Sequence, residues 1–181
     1  MSFPSQLNIP RRLGGRPRDK RGLPIPWGVV ILPDGTPDFR VSDGERWLRC
    51  IRERLCPLCG LPIKRSLWFV GGPSCMEHRL FQDPGMHRDC AEFALRVCPF
   101  MAQPKAHFSD LERRPPPPGY ASVETPGISV EKPDRFVLAA TTKCEIVRLN
   151  GMPFIQASAW SHVFWWKDGA PLPIETTGEK P

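Results

Sequence analysis

The sequence predicts an α+β fold organised around a metal-held core. Three observations lead there. Five of the seven cysteines fall between residues 56 and 98, together with His78 and His87. Proline occupies 23 of 181 positions, which excludes long uninterrupted helices. Beyond residue 134 the apolar residues gather into short runs separated by turn signals, the mark of strands.

The elements follow in order. Residues 1–22 read as a flexible basic arm. Trp27 to Leu32 is apolar, Pro33-Asp34-Gly35 supplies a turn, and Phe39 and Val41 follow at alternate positions, which predicts a β-hairpin. Ser42 three residues before Glu45 is a capping-box pair, and Trp47, Leu48, Ile51 and Leu55 recur at helical spacing, so a helix is expected over about 43–54. Cys56-Pro57-Leu58-Cys59-Gly60 is a tight turn. Leu67 to Val70 reads as a strand broken by Gly71-Gly72-Pro73, with a second short strand around Met76 to Phe81. Asp83-Pro84 offers a cap for a helix over about 84–97, which Pro99 ends. Residues 102–133 are expected to be a proline-rich linker, with four consecutive prolines at 115–118 favouring a stiff spacer. Strands are predicted at 136–140, 144–149, 153–157 and 162–166, with Asn150-Gly151 turning the middle pair. The expected organisation is arm 1–22, zinc domain 23–101, linker 102–133, C-terminal β-unit 134–170 and tail 171–181.

Hydrophobic residues make up 40% and charged residues 24%, an ordinary globular balance. No apolar run reaches the roughly 20 residues that span a bilayer, and the first 25 residues lack a signal-like apolar core, so a cytoplasmic protein is expected. The net charge of +6 is local. Residues 1–25 hold Arg11, Arg12, Arg16, Arg18, Lys20 and Arg21 against one acid, Asp19, while the remainder carries 19 basic and 18 acidic groups. Such an arm suits phosphate contact; the plainer alternative is a solvated tail.

An odd cysteine count without a signal peptide argues against a disulfide framework and toward metal. A C-x-x-C turn points two sulfurs to one side, and the following glycine lets the backbone bend so that amides face sulfur. Cys56, Cys59 and Gly60 match. His87 and Cys90, three apart at a predicted helix start, share a face and lie in the field of the helix N-terminus. Cys98, eight residues beyond Cys90, lies about 12 Å further along that helix, too far to share the ion. The set Cys56, Cys59, His87 and Cys90 therefore predicts structural zinc, and the order of knuckle, hairpin and ligand-bearing helix is the treble-clef arrangement. Cys75 with His78 is the rival second pair, or part of a second site.

The stretches "GLPIPWGVVILPDGTPDFRV", "RERLCPLCGLPI", "WFVGGPSCMEHR", "PGMHRDCAEFALRVCPFM" and "FWWKDGA" resemble an uncharacterised group of bacteriophage and prophage proteins. The resemblance covers roughly residues 22–170 and includes the cysteines at 56 and 59, Gly-Pro-x-Cys at Cys75, His-x-x-Cys at His87 and Cys90, and Cys-Pro-Phe from Cys98. It implies a phage or prophage origin in a bacterial host cell and no activity. Where the group tends to carry Asn, this chain has His78, which counts against the Cys75–His78 pair.

The function expected is a non-catalytic interaction module binding nucleic acid through the basic arm. Trp165 and Trp166 face opposite sides of a strand, so one of them is expected to meet a partner; the alternative is that both are buried. A second reading is an inhibitor or adaptor that binds a host protein. A third is a metal-dependent nuclease with His78 as general base and Asp89 and Glu92 as substitutes for metal-binding residues. No phosphate loop or nucleophile elbow is present, and no βαβ pattern surrounds Cys56-Pro57-Leu58-Cys59 to support a redox role. His107 and His162 are isolated.

Overall fold

The computed structural model describes residues 8–104 and 132–173. It is a mixed helix and sheet structure, with short helices and three antiparallel sheets. Strands β1 (Val29–Ile31) and β2 (Pro37–Ser42) form a hairpin of their own. Strand β3 (Leu67–Gly71) joins β5 (Phe136–Thr141), β8 (His162–Lys167) and β9 (Ala170–Pro171) in the order β3-β5-β8-β9. Strand β4 (Leu80–Phe81) joins β6 (Cys144–Leu149) and β7 (Met152–Ala157) in the order β4-β7-β6. The helices are α1 (Gly44–Arg52), α2 (Pro73–His78), α3 (Arg88–Val97) and α4 (Pro99–Ala102).

Residues 8–22 are not the flexible arm that charge alone suggests. Arg11–Leu13 form a 3-10 turn closed by Leu13 N–H donating to the Pro10 carbonyl at 2.8 Å. Leu13 is 2% exposed and packs into the main core, a burial that contributes about 1.5–3 kcal/mol. The Asp19 carboxylate then accepts the backbone N–H groups of Arg21 and Leu23, which pins the next turn and brings Leu23 into the same core. Three apolar residues, Leu13, Leu23 and Ile25, are buried within a segment whose charge obscures them.

The hairpin and α1 form where expected, with a different cap. Asp43, not Ser42, caps α1, its carboxylate accepting the Arg46 N–H at 3.0 Å; Ser42 ends β2. The second strand expected at 76–81 is mostly helix. Gly72 and Pro73 start α2, Arg79 stops it in the left-handed conformation, and two residues remain for β4. Asp83-Pro84 does not cap α3. Residues 84–86 stay outside the helix instead, because Met86 exchanges both backbone hydrogen bonds with Trp68 of β3, at 2.8 and 3.0 Å. Gly85 permits that approach, since a Cβ there would stand 2.8 Å from the Leu67 side chain. Helix α3 therefore starts only after His87, its N-cap. Pro99 ends α3 and opens α4.

All four C-terminal strands appear where the short apolar runs and turn residues place them, and Asn150-Gly151 turns β6 into β7 with both residues at positive φ. They do not form a separate unit. Strand β5 pairs with β3 from Leu67↔Thr141 to Gly71↔Val137, and β7 pairs with β4. Every residue of β5 is buried, as befits a strand flanked on both edges and covered on both faces. Phe69, Leu95, Leu138 and Ile155 meet in one core that spans the expected domain boundary. Most of the 102–133 segment, including the four prolines, and most of the 171–181 tail lie outside the described residues. Among the described residues no helix is long and apolar enough to cross a membrane.

Candidate metal centre

The knuckle is a backbone construction first. Cys56 N–H donates to the Leu61 carbonyl at 3.0 Å, and Gly60 N–H donates to the Cys56 carbonyl at 2.7 Å. Closing this loop places Gly60 at φ +77°, a conformation that L side chains rarely adopt. The loop is held from outside as well. Trp27 N–H donates to the Leu58 carbonyl and Gly28 N–H to the Pro57 carbonyl, at 3.0 and 2.8 Å. The Trp27 ring lies where a Gly60 Cβ would project, 2.9 Å from that position. Arg46 and Arg49 of α1 stand over the Trp27 ring at 5.5 and 5.4 Å. The N-terminal third is thus docked onto the cysteine turn.

Helix α3 supplies the opposite side. His87 at its N-cap and Cys90 in its first turn face the knuckle. One ligand atom each from Cys56, Cys59, His87 and Cys90 lies within 4.8 Å of the others, the span of a single coordination shell, and all four residues are buried. His87 Nδ1 is 3.4 Å from Cys59 Sγ. Its Nε2 is 3.1 Å from the Pro62 carbonyl, which accepts the Nε2–H and leaves the Nδ1 lone pair facing the sulfurs. Four soft or borderline donors facing one point suit a metal ion.

The electrostatics separate the three thiols. Cys59 is held well below the usual thiol range because the Cys56 and Cys90 side chains and the Leu61 N–H hydrogen-bond to its sulfur. Cys56 is raised, chiefly by burial, and Cys90 is raised by its hydrogen bonds to Cys56 and Cys59. Arg16 lies within the influence of the Cys59 charge, and burial lowers its guanidinium from the ordinary value.

The structure brings together all four donors of the preferred set. Among the described residues it forms no second such cluster, and Cys75 and His78 are not part of the one it forms. Cys75 packs against Gly71 on α2, and His78 is exposed at the end of that helix. Asp89 pairs with Arg12 at 3.2 Å, and Glu92 with Arg88 at 2.8 Å. Of the basic residues assigned to phosphate, Arg16 donates to the Ile25 carbonyl and Arg21 pairs with Asp19 at 2.6 Å, while Arg11, Arg18 and Lys20 are exposed. Trp166 is 3% exposed and lies under Arg96, so it is no partner surface. Trp165 is half-buried, with Arg135 over its ring at 4.3 Å. Sequence reasoning missed the Pro62 carbonyl and the Trp27-Gly28 clamp. The signal for the clamp was the pair Gly28 and Gly60, whose close approaches appear only in three dimensions.

Comparison with family models, with curated proteins and with solved structures finds no match.

Proposed function

We propose that this protein is a structural-zinc interaction module that binds nucleic acid through the basic surface of residues 11–21. The observation that carries the metal part is the closed donor set. Three sulfurs and one imidazole nitrogen within 4.8 Å fit a tetrahedral zinc, whose ligand atoms lie about 3.5–3.8 Å apart. Four protein ligands leave no open position, the mark of a structural rather than a catalytic ion. The treble-clef reading is supported by the order of parts: the cysteine turn, then β3 bridged to Met86, then α3 donating from its N-cap and first turn. When bound, zinc supplies the crosslink between turn and helix. His87 is oriented by Pro62, and the Leu61 N–H stabilises the Cys59 sulfur.

The partner reading rests on charge. Residues 11–21 hold six basic side chains and one acid, and Arg11, Arg18 and Lys20 among them are exposed. The resemblance to phage and prophage proteins supports a role inside a bacterial host cell. A second reading, binding to a host protein, is favoured by Ile146 and Leu149, which are 39% and 43% exposed on the edge strand β6. Metal analysis of purified protein, followed by nucleic-acid titration over a range of salt, tests the proposal. The expected results are one zinc per chain and a log–log salt slope of about −2 to −4, as for three to five phosphate contacts. Binding insensitive to salt moves the reading to a protein partner; absence of stoichiometric zinc overturns the metal part.

A further inference from the structure

We infer that Phe39 is a stacking platform for the bases of a single-stranded nucleic acid, set beside the cations of the turn at residues 18–21. This rests on the nucleic-acid reading above and adds the class of strand and the residue that engages it. Phe39 is 47% exposed, the most exposed of the large apolar residues described. It lies on a two-stranded sheet that pairs with no other strand among the described residues. Phe39 follows Asp38 at the point where the hairpin register shifts, from Val30↔Asp38 to Val29↔Ser42, and it is exposed while Asp38 is buried. Ile31 of the same hairpin is also exposed, so two of its large apolar side chains meet solvent.

Charge selects the occupant. The Arg21 guanidinium stands 5.5 Å from the Phe39 ring centroid. Asp19 holds it there, accepting from Arg21 Nε at 2.8 Å, and also accepts the Arg21 backbone N–H. The guanidinium lies over one face of the ring, so the pair forms a stacked cationic platform whose outer planes suit base faces. Arg18 and Lys20 are exposed in the same turn. An aromatic platform flanked by cations fits a strand whose bases are free to splay out, with phosphates reaching the turn. Duplex bases, stacked on each other, offer Phe39 no face.

The test compares wild type, Phe39→Ala, Phe39→Leu and Phe39→Trp by fluorescence anisotropy on labelled oligothymidylate and on a duplex of equal length. Thermal melting and metal content, expected unchanged at this exposed site, show that each variant is folded. The expected result is preference for the single strand, a loss of about tenfold or more for Phe39→Ala and Phe39→Leu, and retention by Phe39→Trp. Wild-type affinity in Phe39→Ala overturns the stacking role and leaves the nucleic-acid reading standing. Equal or tighter binding to duplex overturns the single-strand assignment. Binding to neither oligonucleotide sinks the nucleic-acid reading, and this inference with it.

Discussion

On the structural-zinc proposal, stripping the ion from the Cys56–Cys59–His87–Cys90 cluster is the perturbation with the largest expected effect. Ligation of a structural zinc is worth about 10–16 kcal/mol, while whole domains are stable by only about 5–15 kcal/mol. Here the crosslink joins the cysteine turn to α3, and through Trp27 and Gly28 it also fixes the hairpin and α1. Without it, Cys56 and Cys90, each fully buried, remain as thiols crowded against Cys59 and His87. At about 2–4 °C per kcal/mol for a chain of this size, loss of even 5 kcal/mol lowers Tm by about 10–20 °C. Calorimetry in excess chelator measures this, and hydrogen exchange locates it. The amides of Trp27, Gly28, Cys56 and Gly60, each bonded across the turn, lose protection first. The β6–β7 amides, which pair far from the donors in sequence, lose it later or not at all. Restored metal reverses both effects. A protein shown to be metal-free that melts and exchanges like the loaded one refutes the reasoning.

Two further outcomes follow from the same geometry. Gly60→Ala costs about 1–2 kcal/mol for the backbone at φ +77°, plus displacement of the Trp27 ring that stands 2.9 Å from the new Cβ. Gly35→Ala, at φ +82° with nothing within 4 Å, carries the backbone cost alone, so denaturant titration should rank Gly60→Ala as the more damaging. Burial pushes the Cys50 thiol up from 9.0 to about 12, which favours the neutral form in the folded state. Its stabilising contribution is complete below pH 9 and is lost as pH rises from 9 toward 12. Chemical denaturation across that range should show a steeper alkaline decline in wild type than in Cys50→Val. Parallel curves count against a neutral buried thiol.

Much of the site was legible because metal ligation has short-range requirements. A C-x-x-C turn ending in glycine and a His-x-x-Cys at a helix start each orient two donors by local geometry alone, so spacing was sufficient to pair them. The second candidate pair, Cys75 and His78, has the same spacing and ranks lower in the sequence because a hairpin is expected there, whereas the structure places it on α2. What decided between them was which helix end faces the cysteine turn, a long-range matter. The helix start was misplaced for a similar reason. Asp83-Pro84 is a sound cap, but Met86 is drawn into a bridge with Trp68, and its two hydrogen bonds to a strand outweigh a local capping preference.

The basic segment and the C-terminal strands show the same division. Six cations among residues 11–21 dominate the composition, yet burial of Leu13, Leu23 and Ile25 fixes the segment to the core, because apolar area removed from water outweighs exposed charges that stay hydrated wherever the chain lies. Strands β5 to β8 were readable from short apolar runs and turn residues, whereas their partners were not. By itself the sequence supplied the candidate donor pairs, most of the local elements and the turn chemistry, since these depend on neighbours a few residues apart. Only the tertiary structure decided that β5 inserts between β3 and β8, that β7 completes β4, and that Trp27 closes on Gly60. Those choices depend on which surfaces from distant segments fit together, and periodicity within one segment carries no record of its partner.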